Sequence, residues 1–497
     1  MLALRRGLAA RERRLGRGML NISDETLEPE DWQDFRRQGH RMLDDMFDYL
    51  ENLRDRPVWQ PIPPEVRDVF YQPMPSQAGE LSAAHQTFMQ DILPYAIGNA
   101  HPGFMGWVHG GGTSVGMLAE MLAAGLNANL GGREQIPVEV ERQLVRWVRD
   151  LFSFPAEASG LFVTGTSMAN LISVLVARTA MLGRAVRVEG LSAACHLTAY
   201  TSASAHVSIA QAMDMAGIGT LALRKIPLNA NFQMDTVALE RAIAADIAAG
   251  MTPFLIAATA GTVDVGAIDT LDEIASIAKG CGLWFHVDGA YGALGMLASD
   301  IAEQLKGIER ADSIAFDFHK WGQVPYDAGF VLVRDGTLHH DTFASPAAYL
   351  QREVRGMAAG SPWPCDYGPD LSRGFRALKT WFTLQVYGAE KLGRVISKTC
   401  ALAQYLRTRI EAEPTLELLA PVALNIVCFR YRSTDLHNAQ IVLALQESGI
   451  AAPSSTTLNG QLAIRAAIVN HRTQVCDIDA LIEATLKFAA DLPLERE

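Results

Sequence analysis

Two residues in this 497-residue chain stand at the ends of apolar runs where a charge needs a purpose: Asp288 in "LWFHVDGAYGA" and Lys320 in "AFDFHKWGQ". A buried carboxylate or ammonium is costly unless paired or used. A lysine in a semi-buried crevice can condense with a carbonyl to form a Schiff base, and a carboxylate can hold a heterocyclic nitrogen protonated. Upstream, "VTGTSMAN" sets Gly165, Thr166, Ser167 and Met168 at a strand-to-helix turn, where backbone N–H groups and the helix dipole favour an anion such as a phosphate ester. Each signal alone has an ordinary reading: Asp288 as a helix cap, Lys320 as a snorkelling surface lysine, the turn as a plain connection. The three together are harder to explain structurally.

The surrounding pattern says how they are positioned. "GLFVTGTSMANLISVLVARTAML" reads as strand, turn and long helix, and "PFLIAATAGT", "GLWFHVDGAYGA" and "DSIAFDFHK" as short buried strands separated by helical stretches such as 270–280. This alternation predicts an α/β fold with a mostly parallel sheet, whose ligands bind beyond the carboxyl ends of the strands. Thr259 to Thr262, Asp288, His319 and Lys320 then gather on one edge. Before this region, residues 24–56 carry an amphipathic helical pattern. Residues 57–75 hold six prolines and read as an extended connector, and 117–126 and 138–152 read as helices. After it come a long helix over 375–411, "LNIVCFRYR", a helix near 437–449, "LAIRAAIVN" and a final helix, predicting a small α+β unit. No internal repeat is present.

Composition narrows the function. A net charge of -12 argues against nucleic acid as a partner. The six cysteines (Cys195, Cys281, Cys365, Cys400, Cys428, Cys476) form no C-x-x-C pair, so no metal site or disulfide framework is indicated and a reducing, cytoplasmic setting is expected. No apolar run reaches the roughly 18 to 20 residues of a spanning helix, so no membrane partner is expected. The opening "MLALRRGLAARERRLGRGML" has six arginines and one acid before Met19. It is compatible with a transit peptide, a disordered arm or an upstream start codon. "GIGTLA", residues 217–222, spells a dinucleotide fingerprint but follows a helical stretch rather than a strand, which removes its required context.

A lysine for an aldehyde, an acid for a pyridinium nitrogen and a cradle for a phosphate ester match the three handles of pyridoxal 5'-phosphate (PLP). Beside them, "AYTSASAHVSIAQAM", "HVDGAYGA", "FDFHKW" and "SRGFRALKTWFTLQVYG" occur in an order and approximate spacing that resemble the group II PLP-dependent decarboxylases, the aromatic-amino-acid branch above all. The resemblance runs from about residue 30 to the end. It implies a fold-type I enzyme with a seven-stranded, mostly parallel sheet. The parts expected are a flexible Arg-rich N-terminus (1–21), an N-terminal helical arm (22–113), a large cofactor domain (114–378) and a small C-terminal α+β domain (379–497). It also implies a homodimer with active sites at the subunit interface, and decarboxylation of a small-molecule L-amino acid, expected to be aromatic, to the amine.

Residue by residue, the resemblance makes Lys320 the covalent anchor of the cofactor and Asp288 the partner of its ring nitrogen. His206 becomes the residue stacked over the ring and Ala290 the small residue beneath it. His319 falls near the phosphate or the covalent link, Thr262 near the substrate side, and Tyr349, in the small-residue stretch "SPAAYLQREVRGMAAGSPWP", becomes the loop acid that returns a proton to carbon. Phe104, Trp107 and His109 in "NAHPGFMGWVHGGGT" are assigned to the side-chain pocket, with packing between arm and body as the competing reading. One departure stands out. Many relatives have Asn-Pro before His-Lys, whereas this chain has Asp317-Phe318, and an ionised carboxylate cannot donate to a phosphate. The same Asp-x-His-Lys order resembles sphingosine-phosphate lyases, so carbon–carbon lysis is carried as an alternative, along with an aldehyde-forming synthase and a catalytically silent regulatory relative.

Overall fold

The computed structural model describes residues 25–192, 196–345 and 352–493. The Arg-rich N-terminus and Tyr349 lie outside the described residues.

A seven-stranded sheet is the centre of the molecule. In chain order, β1 (Phe104–Met105) lies outside it, and its own strands are β2 (Ser159–Val163), β3 (Leu197–Ser202), β4 (Leu223–Ile226), β5 (Thr252–Thr259), β6 (Trp284–Asp288), β7 (Ser313–Asp317) and β8 (Gly329–Val333). The spatial order is β2-β8-β7-β6-β5-β3-β4. Only β8 runs antiparallel to its neighbours, so the carboxyl ends of the other six share one edge. The strands are buried on both faces, which explains their unbroken apolar character. Phe152, Phe162, Phe316, Phe318 and Phe330 interlock through tilted, edge and stacked contacts under β2, β7 and β8. The expected α/β architecture is therefore the one observed.

A second sheet, ordered β1-β11-β12-β10-β9, is built from β9 (Leu416–Leu418), β10 (Ile426–Tyr431), β11 (Ala452–Leu458) and β12 (Gln461–Ala467), with β1 pairing parallel to β11. Phe104 and Met105, in the stretch read as a helical arm, thus extend the C-terminal sheet instead. A 36-residue helix, Arg376–Glu411, joins the two units and bends at Gly388, whose φ of 72° is left-handed. The predicted helices appear at Ser114–Leu126, Ile136–Leu151, Asp435–Glu447 and Val475–Asp491.

Two stretches differ from expectation. The proline-rich 57–75 segment contains a short helix, Pro64–Val69, because a proline in the first turn lacks only an N–H that the helix does not use. The amphipathic N-terminal helix, Trp32–Glu51, is capped by Asp31 but buries none of its residues, leaving Trp32, Phe35 and Phe47 exposed. Residues 217–222 follow the helix Val207–Met215, the wrong context for a dinucleotide turn. Among the described residues, no helix is long and apolar enough to cross a membrane.

Candidate active site

Beyond the shared strand edge lies a cavity of about 370 Å³. Asp288 enters from the end of β6, Lys320 from the turn after β7, Thr166 and Ser167 from the turn after β2, and His206 from the segment after β3; Ala290 and His319 complete this part of the wall. The chain thus brings together residues more than 150 positions apart because each closes a parallel strand.

Asp288 is held on two sides. Its Oδ2 accepts from Asn170 Nδ2 at 3.0 Å and its Oδ1 from the Ala290 N–H at 3.1 Å. Burial pushes its pKa up, while the Asn170 bond, then the Lys320 and His206 charges, pull it back. Asn170 is fixed in turn: its Oδ1 faces His286 Nε2 at 2.9 Å, and His286 Nδ1 is 2.9 Å from Ser313 Oγ. Burial holds His286 neutral, its pKa lowered to about 3. Asn170 Nδ2 also donates to Ser208 Oγ at 2.9 Å, and Ser208 Oγ lies 2.8 Å from His206 Nδ1. One network therefore orients both Asp288 and His206.

The phosphate-type cradle is the first turn of the helix Thr166–Leu182. Thr166 Oγ1 is buried there without a partner among the described residues, a donor left available at an electropositive helix end. A Cβ on Gly329 would lie 2.4 Å from Gly165 Cα, so the turn packs this closely on β8 only because residue 329 is glycine. Met168 is not on the cavity wall; its N–H bonds back to Gly165 O. Thr262 is also behind the wall. Its hydroxyl accepts from the Ala267 N–H at 3.0 Å, closing its own turn, while Gly261 and Val263 face the cavity.

Lys320 Nζ forms an ion pair with Asp317 Oδ2 at 2.8 Å, and Asp317 Oδ1 accepts the Thr166 N–H at 2.8 Å. His319 accepts the Ala328 N–H on Nδ1 and packs at a tilt on Tyr326 with centroids 4.3 Å apart. Burial lowers the His319 pKa and outweighs the Asp317 charge, which pulls it up. The opposite wall carries Trp107 and His109. His109 Nδ1 is 3.0 Å from Asn99 Oδ1, and burial followed by the Lys320 and His319 charges pushes its pKa down to about 4. Phe104 is buried behind them, stacked on His109 at 5.8 Å. Arg465 of β12 donates to Gly106 O and Val263 O at 2.7 and 2.9 Å, so the C-terminal sheet braces this wall.

Asn170, Ser208, His286 and Tyr326 are absent from the sequence-derived set. Asn170 had a signal, being one helical turn from Thr166 on the same face, and so did His286, a polar residue two positions before Asp288 in a buried strand.

Residues 64–432 match the model of the pyridoxal-dependent decarboxylase conserved domain. The chain belongs to this family. This decarboxylase is 30% identical over 456 residues to an aromatic-L-amino-acid decarboxylase of Bacillus atrophaeus, covering 89% of this chain and 92% of that one. It is 27% identical over 474 residues to a phenylacetaldehyde synthase of Arabidopsis thaliana, covering 90% and 94%. Its fold matches Oryza sativa TDC, solved with PLP and tryptamine, with a TM-score of 0.86 at 23% identity, covering 94% and 99% of the two chains. The decarboxylase is a PLP-dependent enzyme acting on an amino acid, and the unpartnered Thr166 hydroxyl, the cradle turn, the braced Asp288 and the cavity-facing Lys320 suit that cofactor.

Proposed function

We propose that this decarboxylase converts an aromatic L-amino acid to its amine and carbon dioxide, with Lys320 as the covalent anchor and Asp288 as the partner of the ring nitrogen. The observation that carries this reading is the convergence of Lys320, Asp288 and the Thr166–Ser167 turn on one cavity. Bound there, PLP supplies the sink for the electron pair left when carbon dioxide departs. Asp288, held in aim by Asn170 and the Ala290 amide, would keep the ring nitrogen protonated. Thr166 Oγ1 and Ser167 at the helix N-terminus would receive the phosphate. His206, its Nδ1 committed to Ser208, and the small side chain of Ala290 line the cavity; by the family resemblance they would pack on the two faces of the ring.

The aromatic preference is supported by the Bacillus relative's name and by the Trp107, His109 and Tyr326 wall. Tyr349 delivers the proton to carbon in this reading, a role that rests on the family resemblance. The exposed apolar side chains of the Trp32–Glu51 helix support a homodimer, and five free cysteines among the described residues support a cytoplasmic setting. Aldehyde formation is the second reading, favoured by the similarity to the phenylacetaldehyde synthase.

Incubating the PLP-loaded protein with aromatic, acidic and diamino L-amino acids and quantifying carbon dioxide, amine and aldehyde tests this directly. Equimolar carbon dioxide and amine from an aromatic substrate is expected. Carbon dioxide with aldehyde and ammonia supports the second reading, and no carbon dioxide from any aromatic substrate overturns both.

A further inference from the structure

Asp317 stands where its charge is hardest to reconcile with a phosphate. It is buried to 2% exposure at the end of β7. Its Oδ1 takes the Thr166 N–H, an amide of the cradle, and its Oδ2 touches the Lys320 ammonium. Two demands collide at this carboxylate. A phosphate dianion arriving at the turn is repelled by a buried anion, and an ammonium has no lone pair with which to attack an aldehyde.

One proton movement answers both. We propose that Asp317 takes the ammonium proton of Lys320 as the cofactor's phosphate enters the Thr166–Ser167 turn, and then donates that proton in a hydrogen bond to a phosphate oxygen. The inference rests on the cofactor reading above and concerns how the chain captures the group. Lys320 Nζ loses a proton and Asp317 Oδ2 gains it. The neutral amine adds to the aldehyde carbon, and the carbonyl oxygen departs as water with the two remaining amine hydrogens, leaving a carbon–nitrogen double bond. A protonated carboxyl keeps acceptor capacity, so Oδ1 still caps the Thr166 N–H.

The titratable groups facing Asp317 are Lys320 and His319 on its own segment and Tyr326 from the loop that follows. His319 Nδ1 already accepts the Ala328 N–H, so the neutral ring presents Nε2–H toward Asp317 at 3.6 Å and has no lone pair there for the lysine proton. The Tyr326 phenol is kept protonated by burial and by Asp317 itself. Asp317 is the acceptor in contact with Nζ. The acidic residue that departs from the Asn-Pro pattern thus acquires a task that an asparagine cannot perform.

Calorimetric titration of the cofactor-free full chain with PLP, in two buffers of equal pH and different ionisation enthalpy, counts the protons exchanged. Wild type is expected to finish with about one more bound proton per cofactor than Asp317→Asn, whose amide oxygen can still cap Thr166. Equal counts in two cofactor-binding proteins overturn the inference and leave the cofactor reading standing. A wild-type chain that binds no PLP overturns both. Lys320→Ala with pyridoxine 5'-phosphate, which has the phosphate and no aldehyde, gives an independent count. With no ammonium to supply it, Asp317 draws about one proton more from solvent than in wild type, and an unchanged count overturns the inference even if Asp317→Asn does not fold.

Discussion

Asn170→Ala removes the side chain on which the Asp288 network converges. Its amide nitrogen donates to Asp288 Oδ2 and Ser208 Oγ, and its oxygen faces His286 Nε2, all at 2.9 to 3.0 Å in a fully buried position. A hydrogen bond to a charged acceptor is worth about 1.5–3 kcal/mol, equivalent to about 1–2 pH units of proton affinity. Burial already pushes the Asp288 pKa up, and Asn170 is the largest opposing influence. Its loss therefore raises the pKa further. In the proposed role Asp288 acts as a carboxylate, so the acid limb of the pH–kcat profile is expected to move upward by that amount, and kcat on that limb to fall about 10- to 100-fold. The orphaned His286 donor costs a further ~1–3 kcal/mol of stability, read by urea melts. Carbon dioxide release measured across the pH range with saturating cofactor is the assay. A folded, PLP-loaded variant whose acid limb does not move would refute the claim that Asn170 sets the ionisation of Asp288.

Gly329→Ala places a Cβ 2.4 Å from Gly165 Cα and must displace the cradle turn, so PLP affinity is expected to fall at least ~10-fold while the melting profile stays cooperative; unchanged affinity in a fluorescence titration contradicts this. His339 is fully buried with Nδ1 2.8 Å from Ser159 Oγ, and burial lowers its pKa to about 3. The unfolded chain binds that proton below about pH 6.5 and the folded chain does not, so His339 makes stability fall as pH drops from 6.5 toward 3. His339→Gln is expected to remove about 1.4 kcal/mol per pH unit of that slope in urea melts, and an identical slope counts against a neutral His339.

The sheet was legible because its strands are buried on both faces and end abruptly in polar residues: "WFHVD" and "IAFDFHK" announce both the strand and the functional edge. The parallel arrangement then dictates that Asp288, Lys320, His206 and the Thr166 turn meet. What no spacing rule supplies is which partner each polar group finds. Asp317 looked like an obstacle to phosphate binding because its bond to the Thr166 N–H spans 151 residues and its pairing with Lys320 depends on how the turn after β7 folds back. Thr262 looked cavity-facing, yet its hydroxyl is turned inward to Ala267. Phe104 is aromatic and adjacent to the cavity, but pairing with β11 sets it behind His109. These are consequences of long-range register, which a local pattern does not encode.

The central claim is that Lys320 is the covalent anchor of the cofactor. Reducing the PLP-loaded protein with borohydride and mapping the modified peptide by mass spectrometry tests it most directly. The account predicts a single pyridoxyl phosphate adduct on Lys320, in the peptide containing "AFDFHKWGQ". An adduct on another lysine, or none in a protein that carries the cofactor, would contradict it.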